Sequence, residues 1–315
     1  MESEAVDTVR IGTRGSKLAL TQAGTVQRAI AAALGADPAD AERVAPLVVI
    51  STTGDRVQDK KLTELGGKSM FTKEIEEALQ AGRIDCAVHS MKDVPIARQA
   101  GLVLAAVPER EDPRDAFLSP RFASLAALPQ GARLGTASIR RAAQALHRRP
   151  DLQIVMVRGN VDSRLRKLEA GDADATILAH AGLNRLGLAG VIRDVLDPLA
   201  WPPAPGQGAL ALETRAADAA AAWVRALDHA ETALAVAAER GALETLEGSC
   251  HTAVGAHARL DGDRLVLVVE ALTLDGRERF RREGAILAPS LETARHLGLD
   301  LGAQIHAEAG DKLLP

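Results

Sequence analysis

Aromatic residues make up 2% of this 315-residue chain, and tyrosine is absent altogether. That excludes a platform of stacked rings for single-stranded nucleic acid. There is no basic excess either. The 38 Lys and Arg stand against 42 Asp and Glu, a net charge of −4, which argues against a dedicated nucleic-acid binder. Two cysteines in such a length are not a disulfide scaffold. Apolar runs such as Leu47–Ile50 and Leu265–Val269 are far too short to cross a bilayer. The opening residues carry Glu2, Glu4 and Asp7, where a secretory leader has a basic start and an apolar stretch. These absences predict a reduced, cytoplasmic protein with neither a nucleic-acid nor a membrane partner. What remains, 47% hydrophobic and 25% charged residues, is ordinary globular composition, and the length suits roughly two or three domains.

The first half alternates strand-like and helix-like segments. Val9–Thr13 reads as a short buried strand, and Ser16 caps a helix whose apolar residues (Leu18, Ala19, Val26, Ile30, Leu34) recur at helical spacing until Gly35. Leu47–Ser51 and Ile84–Val88 read as further strands, with a helix over Phe71–Gln80 between them, closed by Gly82. Such alternation predicts a mostly parallel sheet covered on both faces. A second segment repeats the plan. Arg10-Ile11-Gly12-Thr13 is echoed by Arg133-Leu134-Gly135-Thr136, and Leu79-Gln80-Ala81-Gly82 with Asp85 by Leu168-Glu169-Ala170-Gly171 with Asp174. Gly12 to Leu79 spans 67 residues but Gly135 to Leu168 only 33, so the first copy carries an insertion, placed at Thr53–Met70 and read as a mobile loop. Two such units face a cleft in the usual arrangement, and ligands favour that junction and the carboxyl ends of its strands. Those ends are Thr13–Ser16, Ser90–Asp93, Thr136–Arg141 and Arg158–Asn160. The last third differs. A helix over Glu231–Glu247 precedes strands at Val254–Leu260, Leu265–Leu272 and Arg277–Arg282, joined by Asp-Gly turns, and a closing helix over Leu291–Ala309. The stretch Trp201–Gly208 holds too much Pro and Gly for helix or central strand.

Charge is unevenly spread. Between Gln130 and Glu169 stand nine basic residues against three acidic ones, and all but Lys167 of the nine are Arg, which grips carboxylate or phosphate with two parallel bonds. Arg148, Arg149, Arg166 and Lys167 suit a solvated helix face. Arg140 and Arg141 fall in the first turn of a helix just past a strand, where backbone N–H groups already favour an anion. Arg158 sits at the next strand end, and Arg14 takes the corresponding place in the first unit. Spacing alone leaves open a polyanionic small ligand or plain surface charge. His89-Ser90-Met91-Lys92-Asp93 puts a cation beside a carboxylate after a buried strand, either a solvated turn pair or a group that handles protons and developing positive charge. Cys250, in a Gly-containing loop, is the better nucleophile candidate, and Cys86 within a strand reads as an inert core thiol. No Cys/His spacing suits a metal, and no phosphate-binding glycine loop is present.

Taken in order, these segments resemble the porphobilinogen deaminase family. The matching pieces are Ile11–Leu20, Gly66-Gly67-Lys68 before Phe71, Val88–Pro95, Glu109–Ala116, Gly135–Arg141, Val157–Val161, Ala181–Leu188, Pro205–Ala209 and Leu246–Cys250. The resemblance implies an α/β protein of two duplicated, periplasmic-binding-protein-like lobes with a cleft, plus a small C-terminal α+β domain. The first lobe would take residues 1–107 and 209–226, the second 108–208, and the last domain 227–315. It implies an enzyme that joins four porphobilinogen units head to tail on a dipyrromethane primer, releasing ammonia each time, and then frees hydroxymethylbilane by hydrolysis. The primer would be bound through a thioether to Cys250 and held by Arg140, Arg141, Ser138, Lys92 and Asp93. Asp93 would be the catalytic carboxylate, and Arg14, Ser16, Arg158, Arg164 and Arg185 would bind substrate. No metal is implied, and the chain is expected to be a monomer. Family members commonly follow the cofactor Cys with Gln-Val-Pro, whereas this chain has His251-Thr252-Ala253. The duplicated lobes alone would equally suit a small-anion binding protein without catalysis.

Overall fold

The computed structural model describes residues 8–56, 70–246 and 252–313. Along the chain, β1 (Ile11–Thr13) leads into α1 (Lys17–Ala33), the single turn α2 (Ala41–Val44) and β2 (Leu47–Val49). A second single turn α3 (Thr53–Arg56), α4 (Lys73–Gln80), β3 (Cys86–Ser90) and β4 (Leu102–Ala106) follow. The plan restarts with β5 (Asp115–Leu118), β6 (Arg133–Gly135), α5 (Ile139–Arg148), β7 (Gln153–Val155) and α6 (Val161–Glu169). Next come β8 (Ala175–Ala179), α7 (His180–Arg185) and the short β9 (Asp194–Val195). Past the proline-rich stretch lie β10 (Leu210–Arg215), α8 (Ala222–Arg225) and the long α9 (Ala230–Leu246). The chain closes with β11 (Ala253–Asp261), β12 (Arg264–Leu272), β13 (Arg279–Leu287) and α10 (Leu291–Ala309). It falls into two compact units, one of Met1–Arg110 with Ala209–Ala233, the other of Glu111–Gly208 with Leu234–Pro315.

In the first unit the sheet order is β2-β1-β3-β10-β4. β1 runs parallel to β2 and β3, but β10 is antiparallel to both its neighbours. Four of the five strands thus run the same way, as expected, and β10 alone is reversed. Crossover connections through helices make β1, β2 and β3 parallel, and β10, entering from a distant stretch of chain, is under no such constraint. The Ser16 side chain accepts from the Ala19 amide at 3.3 Å and starts α1, whose Ala23, Val26 and Ile30 are buried against the sheet. Of the expected loop at Thr53–Met70, Thr53–Arg56 is helical and Met70 is buried. Residues 57–69, with Gly66, Gly67 and Lys68, lie outside the described residues.

The second unit carries a sheet of the same plan, β7-β6-β8-β5-β9, with β6 parallel to β7 and β8 and β5 antiparallel to both neighbours. The sequence repeats make matching bonds. Asp85 accepts from the Arg10 amide at 2.8 Å and Asp174 from the Arg133 amide at 2.9 Å. Each aspartate in turn gives its own amide to the same arginine's carbonyl. This unit also holds a three-stranded antiparallel sheet, β11-β12-β13. Its turns use Gly262 and Gly276 at φ 62° and 71°, a region that favours glycine. β13 runs on to Leu287, beyond the expected Arg282. A capping box of Ser290 and Thr293 opens α10.

Candidate active site

In the first unit the side chains of interest follow β1 and β3. Arg14 donates from Nε to Asp55 Oδ1 at 3.1 Å, pairs with the same carboxylate through Nη2, and lies 4.3 Å from the centroid of the Phe71 ring. Burial pushes the Asp55 carboxyl up, but the bonds from Arg14 and Thr52 outweigh it and hold it below the usual range. Ser16 spends its oxygen on the helix cap. Along β3, His89 Nε2 lies 3.1 Å from Glu213 Oε2, both buried, and Ser90 bonds to Gln22 at 3.0 Å. A single 3₁₀ turn, Met91–Asp93, then leaves the sheet, pinned by the fully buried Met91. Lys92 and Asp93 are half-buried on that turn. Asp93's carboxylate has no hydrogen-bond partner among the described residues.

In the second unit Thr136 Oγ1 accepts from the Ser138 amide at 3.1 Å, and Ser138 caps α5 by accepting from the Arg141 amide. Arg140 and Arg141 stand in the first turn, as expected. They are not solvent-facing, being each 5% exposed and sharing one fully buried carboxylate, Asp115. Burial pushes Asp115 up, but the two guanidinium charges and their bonds win and hold it far below the usual range. Burial beside another cation lowers Arg140 in spite of Asp115. Arg158 precedes α6 and Arg164 lies in its first half, where Arg164 Nε donates to the Gly159 carbonyl at 2.9 Å and Lys167 Nζ to the Arg158 carbonyl at 3.2 Å. Arg185 donates to the Gly208 carbonyl at 2.8 Å and is lowered by burial.

Two expectations about the basic window need correction. Arg148 lies over the Trp201 ring at 4.7 Å, and Arg149 bonds the carbonyls of Leu125, Leu128 and Pro129 as well as Asp151. They staple loops rather than line a solvated face; Arg166 alone of the four is exposed. Cys86 is fully buried, and burial pushes its thiol up, so it is no nucleophile. Cys250 and His251 lie outside the described residues. Sequence reasoning assigned no role to Asp115, Trp201 or Gln207; the signal available was a lone carboxylate opening the apolar run Asp115–Leu118. Among the described residues no group of His, Cys, Asp or Glu is placed to hold a metal, and no helix is long and apolar enough to cross a membrane.

Residues 9–222 match the family model described as "Porphobilinogen deaminase, dipyromethane cofactor binding domain", and residues 233–307 match "Porphobilinogen deaminase, C-terminal domain". A porphobilinogen deaminase of Caulobacter sp. (strain K31) is 63% identical over 97% of this chain and 98% of its own length. One from Phenylobacterium zucineum is 61% identical over 97% and 98%. The methionine binding protein MetQ, a solved structure, is similar at a TM-score of 0.45 and 16% identity, over 70% of this chain and 89% of that chain. The family matches do not favour a small-anion binding protein without catalysis. Matched by both family models and by close relatives over nearly its whole length, the chain belongs to the porphobilinogen deaminase family, with dipyrromethane as its cofactor.

Proposed function

We propose that this chain is a transferase that joins four porphobilinogen units head to tail on a dipyrromethane primer tethered to Cys250, releases ammonia at each addition and frees hydroxymethylbilane at the end. The side chains present fit the primer. Each of its pyrroles bears an acetate and a propionate, which suit the guanidinium N–H groups of Arg140 and Arg141 and the capped helix start at Ser138. Pyrrole N–H groups need an acceptor, which Asp93 supplies, with Lys92 beside it. When bound, the primer supplies the free α-carbon that receives each unit.

Asp93 accepts the N–H of the incoming porphobilinogen and stabilises the positive charge that develops on that ring as ammonia leaves. Arg14, Arg158, Arg164 and Arg185 bind the carboxylates of the incoming unit, with Ser16 as a neighbour. Arg14 exchanges Asp55 for a substrate carboxylate in doing so. We take the protein to act as a cytoplasmic monomer.

The observation that carries this reading is the half-buried Asp93 carboxylate, held at a strand end on a pinned turn and without a donor among the described residues. Intact-mass measurement tests it: the purified protein should exceed its sequence mass by two linked pyrroles, and Cys250→Ser should remove the excess. Asp93→Asn should keep primer and fold yet slow turnover by about 100- to 1,000-fold. A bare sequence mass in active protein, or near-normal turnover of Asp93→Asn, would refute the respective assignment.

A further inference from the structure

Two adjacent cations in the first turn of a helix are unfavourable twice over, because the helix dipole is positive there and because both guanidinium groups are taken out of water. In α5 this happens at Arg140 and Arg141. One buried carboxylate answers them. Asp115 Oδ1 accepts from Arg141 Nη2 at 2.8 Å, from Arg141 Nε at 3.2 Å and from Gln207 Nε2 at 2.8 Å. Its Oδ2 accepts from Arg140 Nη1 at 2.8 Å and from Trp201 Nε1 at 3.0 Å. Trp201 and Gln207 carry no charge, so they add nothing to neutralisation. What they do is lock the plane of the carboxylate, and with it the two guanidinium planes.

The balance is incomplete in two respects. Only one anion bonds the two cations directly; the buried Glu270 acts on Arg140 from further off, its Oε1 accepting from Gln144 at 2.9 Å. Arg140 Nη1 is spent on Asp115, Gln144 and the Pro202 carbonyl, but its Nε and Nη2, and Arg141 Nη1, have no hydrogen-bond partner among the described residues. Stability alone does not call for such an arrangement, since well-packed apolar side chains of similar volume commonly serve as well as a buried ion pair. A ligand carboxylate is the group that would complete it.

We infer that Asp115, its plane locked by Trp201 and Gln207, is a positioning residue that presents the unspent N–H groups of Arg140 and Arg141 to the carboxylates of dipyrromethane. This rests on the reading of those two arginines as cofactor-binding. Asp115 itself does not touch the cofactor.

The test is the rate and extent of primer loading, read by intact mass when parent and variants, each purified without primer from cells that make no porphobilinogen, are incubated with porphobilinogen well below their own melting temperatures. Asp115→Asn keeps the shape and removes the charge, and should load about tenfold more slowly or worse. Trp201→Phe keeps the ring over Arg148, removes only one donor to Asp115, and should load about two- to tenfold more slowly. Leu128→Ala, a core truncation elsewhere in the same unit, should lose thermal stability and still load like the parent protein. Wild-type loading by Asp115→Asn overturns the inference, as does an equal loss in Leu128→Ala, which would make stability the whole cause. Should Asp115→Asn fail to fold, Trp201→Phe decides, and wild-type loading by it is the refuting result. The Arg140→Leu/Arg141→Leu variant separates the two levels. If it loads normally, the cofactor-binding reading fails. If it stays unloaded while Asp115→Asn loads, only the positioning role is lost.

Discussion

The two five-stranded sheets share strand order, direction and register, yet each buries its polar groups where the other is apolar. Aligned through β3 and β8, Leu210 of β10 corresponds to Asp115 of β5, because Leu210 pairs with Ser90 and Asp115 with Ala179. By the same register His89 corresponds to Leu178, and Glu213 to Leu118. The second sheet thus places its buried carboxylate at the start of the inserted strand, next to the first turn of α5. The first sheet keeps an apolar residue there and places a His–Glu pair one and three residues further along, diagonally across the strand pair. One scaffold has been given two different polar cores. In the second, the buried charges sit where a helix begins and an anion is welcome. In the first, they tie β3 to β10 just ahead of the turn that carries Asp93.

Making the second sheet resemble the first should have the largest effect. Asp115→Leu leaves Arg140 and Arg141 buried without the carboxylate they bond, and denaturant unfolding should show a loss of about 3–5 kcal/mol. A loss within the range of an ordinary surface change would mean that water or another carboxylate replaces Asp115. The converse exchange is gentler. His89→Leu or Glu213→Leu alone strands a buried polar partner and should cost about 1–3 kcal/mol. The double variant, which reproduces the Leu178 and Leu118 of the other sheet, should recover most of that, so the two losses should not add. Simple additivity would show that the pair is not coupled.

What was legible in the sequence was what local chemistry decides. Ser16 and Ser138 cap their helices, Gly35, Gly262 and Gly276 take the positive φ a helix end or turn needs, and α10 occupies Leu291–Ala309 as its pattern predicts. The duplication was legible too, because the Arg10/Asp85 and Arg133/Asp174 echoes encode one backbone arrangement twice. Contacts between distant parts of the chain were not. Nothing near Asp115 announces partners 25, 86 and 92 positions away. The antiparallel β10 depends on a return of the chain that periodicity does not encode. Arg148 and Arg149 read as solvated because helical spacing reports which face a residue takes and not whether a loop folds over it. The candidate site stands between these cases. Residue types singled out segments that the structure places at the ends of β1, β3 and β6, and the resemblance to a family assigned roles to them.

The repeats offer a finer comparison, since equal structure should give equal response. Gly82 and Gly171 close α4 and α6 at φ 66° and 81°, with nothing within 4 Å of where a Cβ would stand. Alanine at either should therefore cost only the backbone term, about 1–2 kcal/mol, and the two losses should agree. Unequal losses would show that the two turns are not equivalent.

The smallest expected effect tests the same equivalence through charge. The Asp85 carboxyl is pushed up by burial but held below its usual range by the Arg10 bonds, and Asp174 is held low chiefly by the Arg133 amide. A carboxylate with a depressed folded value stabilises the fold above its unfolded pKa of about 4, and that contribution is lost as pH falls through the folded value. Asp85→Asn and Asp174→Asn should each cost under about 1 kcal/mol at neutral pH, since both pairs are partly exposed. The deficit against the parent protein should then shrink below about pH 4, because the parent carboxyl is protonated there as well. Urea unfolding from pH 7 downward reads this directly. A deficit that persists unchanged into acid would mean that the asparagine amide disturbs the paired backbone bonds, and that charge contributes nothing at either repeat. A deficit that shrinks at one repeat alone would show that the two sheets, alike in their strands, hold these turns by different forces.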